Sequence, residues 1–465
     1  MANETPPRQP TYDELLAENA ALRRRISSLE EQLARLEKRV EELVRSGKRQ
    51  AAPFSKGEPK SDPLPPGRKA GELYGQRAFR APPTRVDEDV DVPLPEVCPA
   101  CGGTVEEVWI AEQFQGELPP VQPIRRRFQI HIGRCGTCGE RVQPRHRLQT
   151  SDALGAAAVQ LGPNALALGA LLNKGYGLSW GKVASFIGRA FGLQASRSSF
   201  CRAAERLGSQ LEPTYTTLVQ ALKTSPVVNP DETGWKVGGR RWWLWDFVTA
   251  GFTVYRIVPS RGGDVVEEVL GIEFSGIVCR DGWAPYGRLV NAQHQSCLAH
   301  HLARIREILH VAKRGAARFP MAVKRILQAA LALRDRQAVI SEQGFAVTRG
   351  RIEARMDRLL EWQPTDAANA RFARHLRNER PHLFTFLYHH EVEATNWLAE
   401  QAIRPAVITR KMSGGGNRTP RGAHVQEVLT SVIRTCHQQG RDVFGLLVHA
   451  LCNDGPIDFE LALGP

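Results

Sequence analysis

The chain is 465 residues long, 42% apolar, and carries 62 Lys and Arg against 49 Asp and Glu, a formal net charge of +13 with a pI near 9.5. Such a length calls for two or more domains with a sizeable core. The polar N-terminus, and the Pro163-Asn164 break in the apolar stretch near Leu161 to Leu172, argue against a signal peptide or a membrane span, so a soluble cytoplasmic protein is expected. The basic excess suits a polyanionic partner, whether nucleic acid or an anionic membrane surface.

In residues 11–45, Leu15, Asn19, Leu22, Ile26, Leu29, Leu33, Leu36, Val40 and Leu43 recur at alternating steps of four and three, the seam of a coiled coil. Asn19 falls at an a position, where a buried amide pairs with its copy in a parallel dimer. The flanking charges agree, Glu18 facing Arg23 and Arg25 facing Glu30, so a homodimer is expected. A single solvated helix is the other reading. Residues 46–95 are a basic Pro/Gly-rich linker, a flexible tether or an arm that follows DNA.

Residues 96–148 contain Cys98-Pro-Ala-Cys101 and Cys135-Gly-Thr-Cys138. Four thiolates in two such pairs suit tetrahedral structural Zn2+ and a reducing compartment. Arg125-Arg-Arg127 followed by Phe128, Ile130 and Ile132 predicts a basic strand of a zinc ribbon, or else a solvated edge. Residues 151–225 read as helical. Two helices around a glycine turn, Leu178 to Arg189 and Ser196 to Arg206, form a candidate helix-turn-helix placing Arg197, Arg202 and Arg206 against a DNA groove; ordinary helix packing fits as well.

From residue 226 the pattern changes to strands: Val227 into Asp231, a hairpin strand Arg241 to Val248, a third strand Thr253 to Val258, a short helix Gly263 to Leu270, and a strand ending at Asp281. Residues 298–392 read as a basic α-helical insertion. Residues 393–450 bring a helix carrying Glu400 and bounded by Pro405, and 451–465 form a tail. This is the element order of an RNase H-like core, so the expected fold is multidomain α/β with that core in two parts, 226–297 and 393–450. Asp231, Asp281 and Glu400 come from separate elements, as hard divalent cations held for phosphoryl transfer require. Two Mg2+ or Mn2+ ions are therefore expected. Glu232, next to Asp231 on a strand, should face the other way. Arg404, Arg410, Lys411, Arg418 and Arg421, around a glycine-rich segment that lets backbone approach DNA, are candidate phosphate contacts or surface charges.

Asp-Glu-Thr-Gly-Trp235, Arg280-Asp-Gly-Trp-Ala-Pro-Tyr286, Cys297-Leu-Ala-His300, Thr395-Asn-Trp-Leu-Ala-Glu400 with Arg404-Pro405, and Arg410-Lys-Met-Ser-Gly resemble the insertion-sequence-66 family of DDE transposases over nearly the whole chain. Trp397 and Gln401 depart from the family's usual Asn and Arg. The resemblance implies a nucleoid-associated DNA transposase that cleaves at transposon terminal repeats and joins the 3′-hydroxyl to target DNA. It also implies small accessory proteins as partners, and it places His300 near the active centre. The Cys297-x-x-His300 pair by itself is half a zinc site, and a buried core histidine is the bland reading of His300. An endonuclease or resolvase that cuts without joining, and a non-catalytic DNA-binding repressor, are the alternatives.

Overall fold

The computed structural model describes residues 11, 20–23, 25–33, 35–37, 81–119, 121–313, 315–413, 416–453, 455 and 457. The chain divides into two units, Ser55–Ile124 and the combination of Met1–Phe54 with Arg125–Pro465. This division runs through the expected zinc-ribbon region. In the smaller unit, Cys98 N–H donates to the Gly103 carbonyl and Gly102 N–H to the Cys98 carbonyl, both at 2.8 Å. Gly102 lies at φ +77°, a conformation other residues adopt only with strain.

The larger unit repeats that turn around its own cysteines. Cys135 N–H donates to the Glu140 carbonyl at 2.8 Å, Gly139 N–H donates to the Cys135 carbonyl at 2.9 Å, and Gly139 lies at φ +74°. A two-strand antiparallel ladder, β1 (Gly133–Arg134) and β2 (Arg141–Val142), flanks it. The expected strand over Phe128, Ile130 and Ile132 does not form among the described residues. Phe128 and Ile132 remain 37% and 48% exposed, and alternation specifies a strand only where one face can be buried.

Residues 20–23, 25–33 and 35–37 are helical, with Leu22, Ile26, Leu29, Leu33 and Leu36 between 53% and 61% exposed. The remaining expected seam positions, Leu15, Asn19, Val40 and Leu43, lie outside the described residues.

Four helices follow: α1 (Pro163–Lys174), α2 (Trp180–Phe191), α3 (Arg197–Gln210) and α4 (Glu212–Leu222). Ser179 and Ser196 cap α2 and α3 by accepting from the N–H groups of Lys182 and Ser199, and Gly192 at φ +66° ends α2. The helix pair expected around a glycine turn is therefore present. Its inner faces, Val183, Ile187, Phe200, Ala203, Ala204 and Leu207, join the main core, leaving Arg197, Arg202 and Arg206 exposed.

The central sheet has strand order β5-β4-β3-β6-β7, with β3 Val227–Val237, β4 Arg240–Val248, β5 Thr253–Val258, β6 Ile277–Arg280 and β7 Gln293–Ser296. The β3, β4 and β5 strands form an antiparallel meander, while β3, β6 and β7 run parallel. Between β5 and β6 lies α5 (Gly263–Leu270). One sheet face, carrying Val228, Trp245, Phe247 and Val254, packs on the N-terminal helices and on α11 (Pro420–Gln438) and α12 (Val443–Cys452). The other carries Trp235, Leu244, Tyr255 and Ile257 and receives Ile403 and Val407 of α10 (Trp397–Ser413). Helices α6 (Leu298–Val311), α7 (Arg318–Asp335), α8 (Glu342–Glu361) and α9 (Ala367–Glu379) form the insertion, with a core of their own. Among the described residues no helix is long and apolar enough to cross a membrane.

Pro405 does not bound the Glu400 helix as expected; α10 runs through it to Ser413. Proline removes one N–H and clashes with the preceding turn, but Pro405 and Gln401, whose carbonyl loses that donor, both lie on the exposed side of the helix.

Candidate active site

Parallel pairing of β3 with β6 stops at Val228 and Val278. Three residues further along β3 stands Asp231, and the residue after β6 is Asp281. The next strand, β7, leads directly into Cys297, whose N–H donates to the Arg280 carbonyl at 2.8 Å. Three adjacent strands thus deliver Asp231, Asp281 and Cys297 to the same carboxyl-end edge, where open α/β sheets form their sites.

Side-chain alternation sorts the acids between faces. Asp231 shares the face of Trp235, on which α10 packs, and pairs across the ladder with Asp246 of β4. Glu232 pairs with Trp245 on the opposite face, accepting from Arg261 Nε at 2.9 Å and from the Tyr286 hydroxyl at 3.1 Å. The Arg261 guanidinium lies between the rings of Trp243 and Trp283, 4.6 and 4.2 Å from their centroids. Burial raises Glu232 to about 7, and the Asp281 charge adds to the rise.

Burial, then the charges of Glu232 and Asp281, hold Asp231 well above the usual carboxylate range, while His300 pulls it down. Asp246 was not singled out from the sequence. It is fully buried, its Oδ1 accepts from Asp231 N–H at 3.0 Å, and its Oδ2 has no partner. Burial and the charge of Asp231 raise it strongly. An acid inside the apolar run Trp242-Trp-Leu-Trp-Asp-Phe-Val248 is the signal that marks it.

Glu400 sits in the first turn of α10. Its N–H donates to the Asn396 carbonyl at 3.1 Å, and Asn396 is itself tied down twice: its Nδ2 donates to the Pro230 carbonyl at 2.7 Å and its N–H to Cys297 Sγ at 3.2 Å. Cys297 Sγ, an imidazole nitrogen of His300 and a Glu400 oxygen all lie within 4.8 Å of one another. The hydrogen bond to Cys297 leads the causes that push His300 up to about 9; the charges of Cys297, Asp281 and Glu400 add to it, and burial opposes it. His300 therefore stands within electrostatic reach of all three acids.

The candidate DNA-contacting cations differ in their settings. Arg410 is committed inward, donating to Gly234 O at 2.6 Å and Thr233 Oγ1 at 3.2 Å, and Arg421 pairs with Glu205 at 3.5 Å. Arg404 is half-buried and its Nε lacks a partner. Lys411 and Arg418 are exposed, like Arg197, Arg202 and Arg206.

Beneath Asp281 lies a buried polar network. Arg280 donates to Glu379 Oε2 at 2.8 Å, to the Asp281 carbonyl at 3.0 Å and toward His294 Nδ1 at 3.4 Å. Burial, with the Arg280 charge, lowers His294 to about 4. Because Glu379 belongs to α9, this network ties the helical insertion to the strand end that carries Asp281.

Comparison with known proteins supplies the class. The family model described as Transposase IS66 family matches residues 158–425, more than half of the chain, and so marks a nucleic-acid-processing enzyme. Uncharacterized protein y4qI of Sinorhizobium fredii (strain NBRC 101917 / NGR234) is 25% identical over 418 residues, covering 81% of this chain and 74% of that protein. The chain belongs to the IS66 family of transposases.

Proposed function

We propose that this transposase works by DDE chemistry: metal-dependent strand cleavage at transposon ends, followed by transfer of the freed 3′-hydroxyl into target DNA. The observation that carries this reading is geometric: Asp231 and Asp281 follow the parallel-paired stretches of adjacent strands, and the Asn396 bond to the Pro230 carbonyl at 2.7 Å fastens the start of the Glu400 helix to the strand of Asp231. A mixed sheet of order β5-β4-β3-β6-β7, with Asp231 just beyond the parallel-paired stretch of β3, Asp281 directly after β6 and a third acid on a helix across one face, supports an RNase H-like core.

The donors fit hard divalent cations. Their atoms are carboxylate oxygens, and Asp231 is held against the charges of Glu232 and Asp281, a repulsion that a cation relieves. Asp231, Asp281 and Glu400 would hold Mg2+ or Mn2+, which would supply activation of the attacking water or hydroxyl and charge stabilisation at the leaving 3′-oxygen. Asn396 sets the position of Glu400 against the strand of Asp231. His300, charged at neutral pH, donates to a phosphate oxygen of the strand being cut. Exposed Arg197, Arg202, Arg206, Lys411 and Arg418 hold the DNA backbone.

Homodimerisation is proposed from the exposed stripe Leu22 to Leu36. Structural zinc is proposed from the cysteine spacing and from the turn each pair makes. In those turns backbone N–H groups favour the thiolate, lowering Cys98 (chiefly that of Ala100) and bringing Cys135 down to about 7 (chiefly that of Cys138).

The test is cleavage of a transposon-end duplex. Asp231→Ala, Asp281→Ala and Glu400→Ala are each expected to abolish cleavage while DNA binding persists, and Glu232→Gln to retain it. Full cleavage by the Asp281→Ala protein would sink the assignment.

A further inference from the structure

The pair Cys297 and His300 has no role in the cleavage chemistry that requires a sulfur atom, yet the fold builds a third ligand against it. Cys297 is 1% exposed at the N-terminus of α6, held from behind by the Arg280 carbonyl and from the side by the Asn396 N–H on its sulfur. One turn on, His300 brings a ring nitrogen, and Glu400 brings an oxygen from α10. All three donor atoms lie within 4.8 Å of one another. Tetrahedral zinc, with bonds of about 2.0–2.3 Å, sets its ligand atoms roughly 3.3–3.8 Å apart. The closure needed is at most about 1–1.5 Å, within reach of the His300 and Glu400 side chains, neither of which is packed in the core.

We infer that Cys297, His300 and Glu400 form a binding site for a thiophilic divalent cation, Zn2+ foremost, distinct in chemistry from the oxygen-donor site of Asp231 and Asp281. A thiolate, an imidazole and one carboxylate are poor donors for Mg2+ and good ones for Zn2+. The Asn396 N–H on the sulfur is the outer contact that stabilises a coordinating thiolate. On binding, the Cys297 thiol proton and any proton on the bound His300 nitrogen pass to buffer. Three protein ligands leave a fourth position for water or a phosphate oxygen. Because Glu400 is shared, zinc at this site withdraws it from the catalytic ions, so zinc inhibits cleavage and a chelator restores it. This consequence rests on the catalytic reading of Glu400; the binding itself does not.

The experiment measures zinc bound per full-length chain by plasma mass spectrometry after dialysis against micromolar zinc, for the parent, Cys297→Ser and Glu400→Gln. Cys297→Ser is expected to hold one equivalent fewer than the parent, whatever the parent holds at its other cysteines. Glu400→Gln, whose partly exposed side chain spares the core, is expected to weaken that same equivalent and so guards against misfolding of the serine variant. With Co2+ as probe, the thiolate-to-cobalt absorption of the parent should shrink in Cys297→Ser. In Mg2+-driven cleavage, zinc is expected to slow the parent about tenfold or more while leaving the ratio of rates without and with zinc near one for Cys297→Ser. Equal zinc content in all three proteins overturns the site. A parent that binds the extra equivalent yet never cleaves with Mg2+ or Mn2+ supports the site and overturns the catalytic reading instead.

Discussion

Asn396 Nδ2 donates to the carbonyl oxygen of Pro230 at 2.7 Å, and this buried bond joins the start of the Glu400 helix to the strand of Asp231. The main-chain carbonyl of Asn396 accepts from Glu400 N–H, while its side-chain Oδ1 is buried without a partner. An orphaned acceptor costs about 1–3 kcal/mol, so the residue keeps its position at some expense of stability. Asn396→Ala is expected to cost no more than about 1–3 kcal/mol in unfolding experiments, because orphaning the Pro230 carbonyl is partly offset by removing the orphaned Oδ1. Cleavage should fall further, by roughly 100-fold, because a displacement of about 1 Å at Glu400 suffices for that. Asn396→Asp, which sets a carboxylate against a carbonyl oxygen, should be no better. Wild-type cleavage by either protein would contradict the role.

The Arg280–Glu379 ion pair is 5% and 8% exposed. Removing one partner of a buried pair costs about 3–5 kcal/mol, whereas replacing both with apolar groups is often close to neutral. Glu379→Ala should therefore destabilise by that amount in denaturant titrations, and the double replacement Arg280→Met with Glu379→Leu should recover most of it. Cleavage should stay low in the double variant, because the bond from Arg280 to the Asp281 carbonyl is lost in it. Full recovery of cleavage would show that the pair serves stability only.

His424 links α11 to α4, its Nδ1 2.9 Å from Glu427 and its Nε2 2.7 Å from Glu212. The bond to Glu427 leads the causes that raise it to about 9, the bond to Glu212 and both charges assisting against burial. A raised folded pKa means stability fully present below the unfolded value near 6.5 and lost as pH climbs through about 9. The ring is 45% exposed, so solvent screening limits the effect to about 1 kcal/mol or less. His424→Gln should lower the thermal midpoint at pH ~6 and leave it near the parent's at pH ~10. A constant difference across that range would exclude the charged pair.

Leu29 lies in the middle of the exposed apolar stripe at 56% exposure. Burying such a side chain against a second copy is worth about 1.5–3 kcal/mol. Leu29→Glu, alone or with Leu22→Glu, should shift the full-length chain from dimer toward monomer in sedimentation equilibrium. A wild-type chain that sediments as a monomer at high micromolar concentration would refute the pairing.

Cys135→Ser should lower the zinc content of the purified chain by one equivalent and reduce its resistance to unfolding, since structural zinc contributes about 10–16 kcal/mol of binding energy in small domains. Unchanged zinc content would remove the metal from these cysteines.

Local pattern was enough to locate most elements around the site. The hairpin and its neighbours, expected at Arg241 to Val248, Thr253 to Val258 and Gly263 to Leu270, occur at Arg240–Val248, Thr253–Val258 and Gly263–Leu270. Dense apolar alternation bounded by glycine turns is a property of neighbouring residues, and it survives folding because those residues make the elements. The wording around Asp231, Asp281 and Glu400 was legible for the same reason.

Strand β7 was not legible. Gln293-His-Gln-Ser296 is polar throughout, yet His294, Gln295 and Ser296 are buried. Gln295 donates to the Leu383 carbonyl and accepts from Phe386 N–H, and Ser296 bonds His301. A polar strand can be buried only when distant residues satisfy it, and nothing within four residues announces those partners. The same holds for the Asn396 bond to Pro230, 166 residues apart in sequence, and for the approach of Glu400 to Cys297 and His300. Sequence determined which residues carry charge and which runs become strands and helices, because both follow from local chemistry. Tertiary structure decided which polar groups meet, because only closure of the chain brings β3, β6, β7 and α10 to one edge.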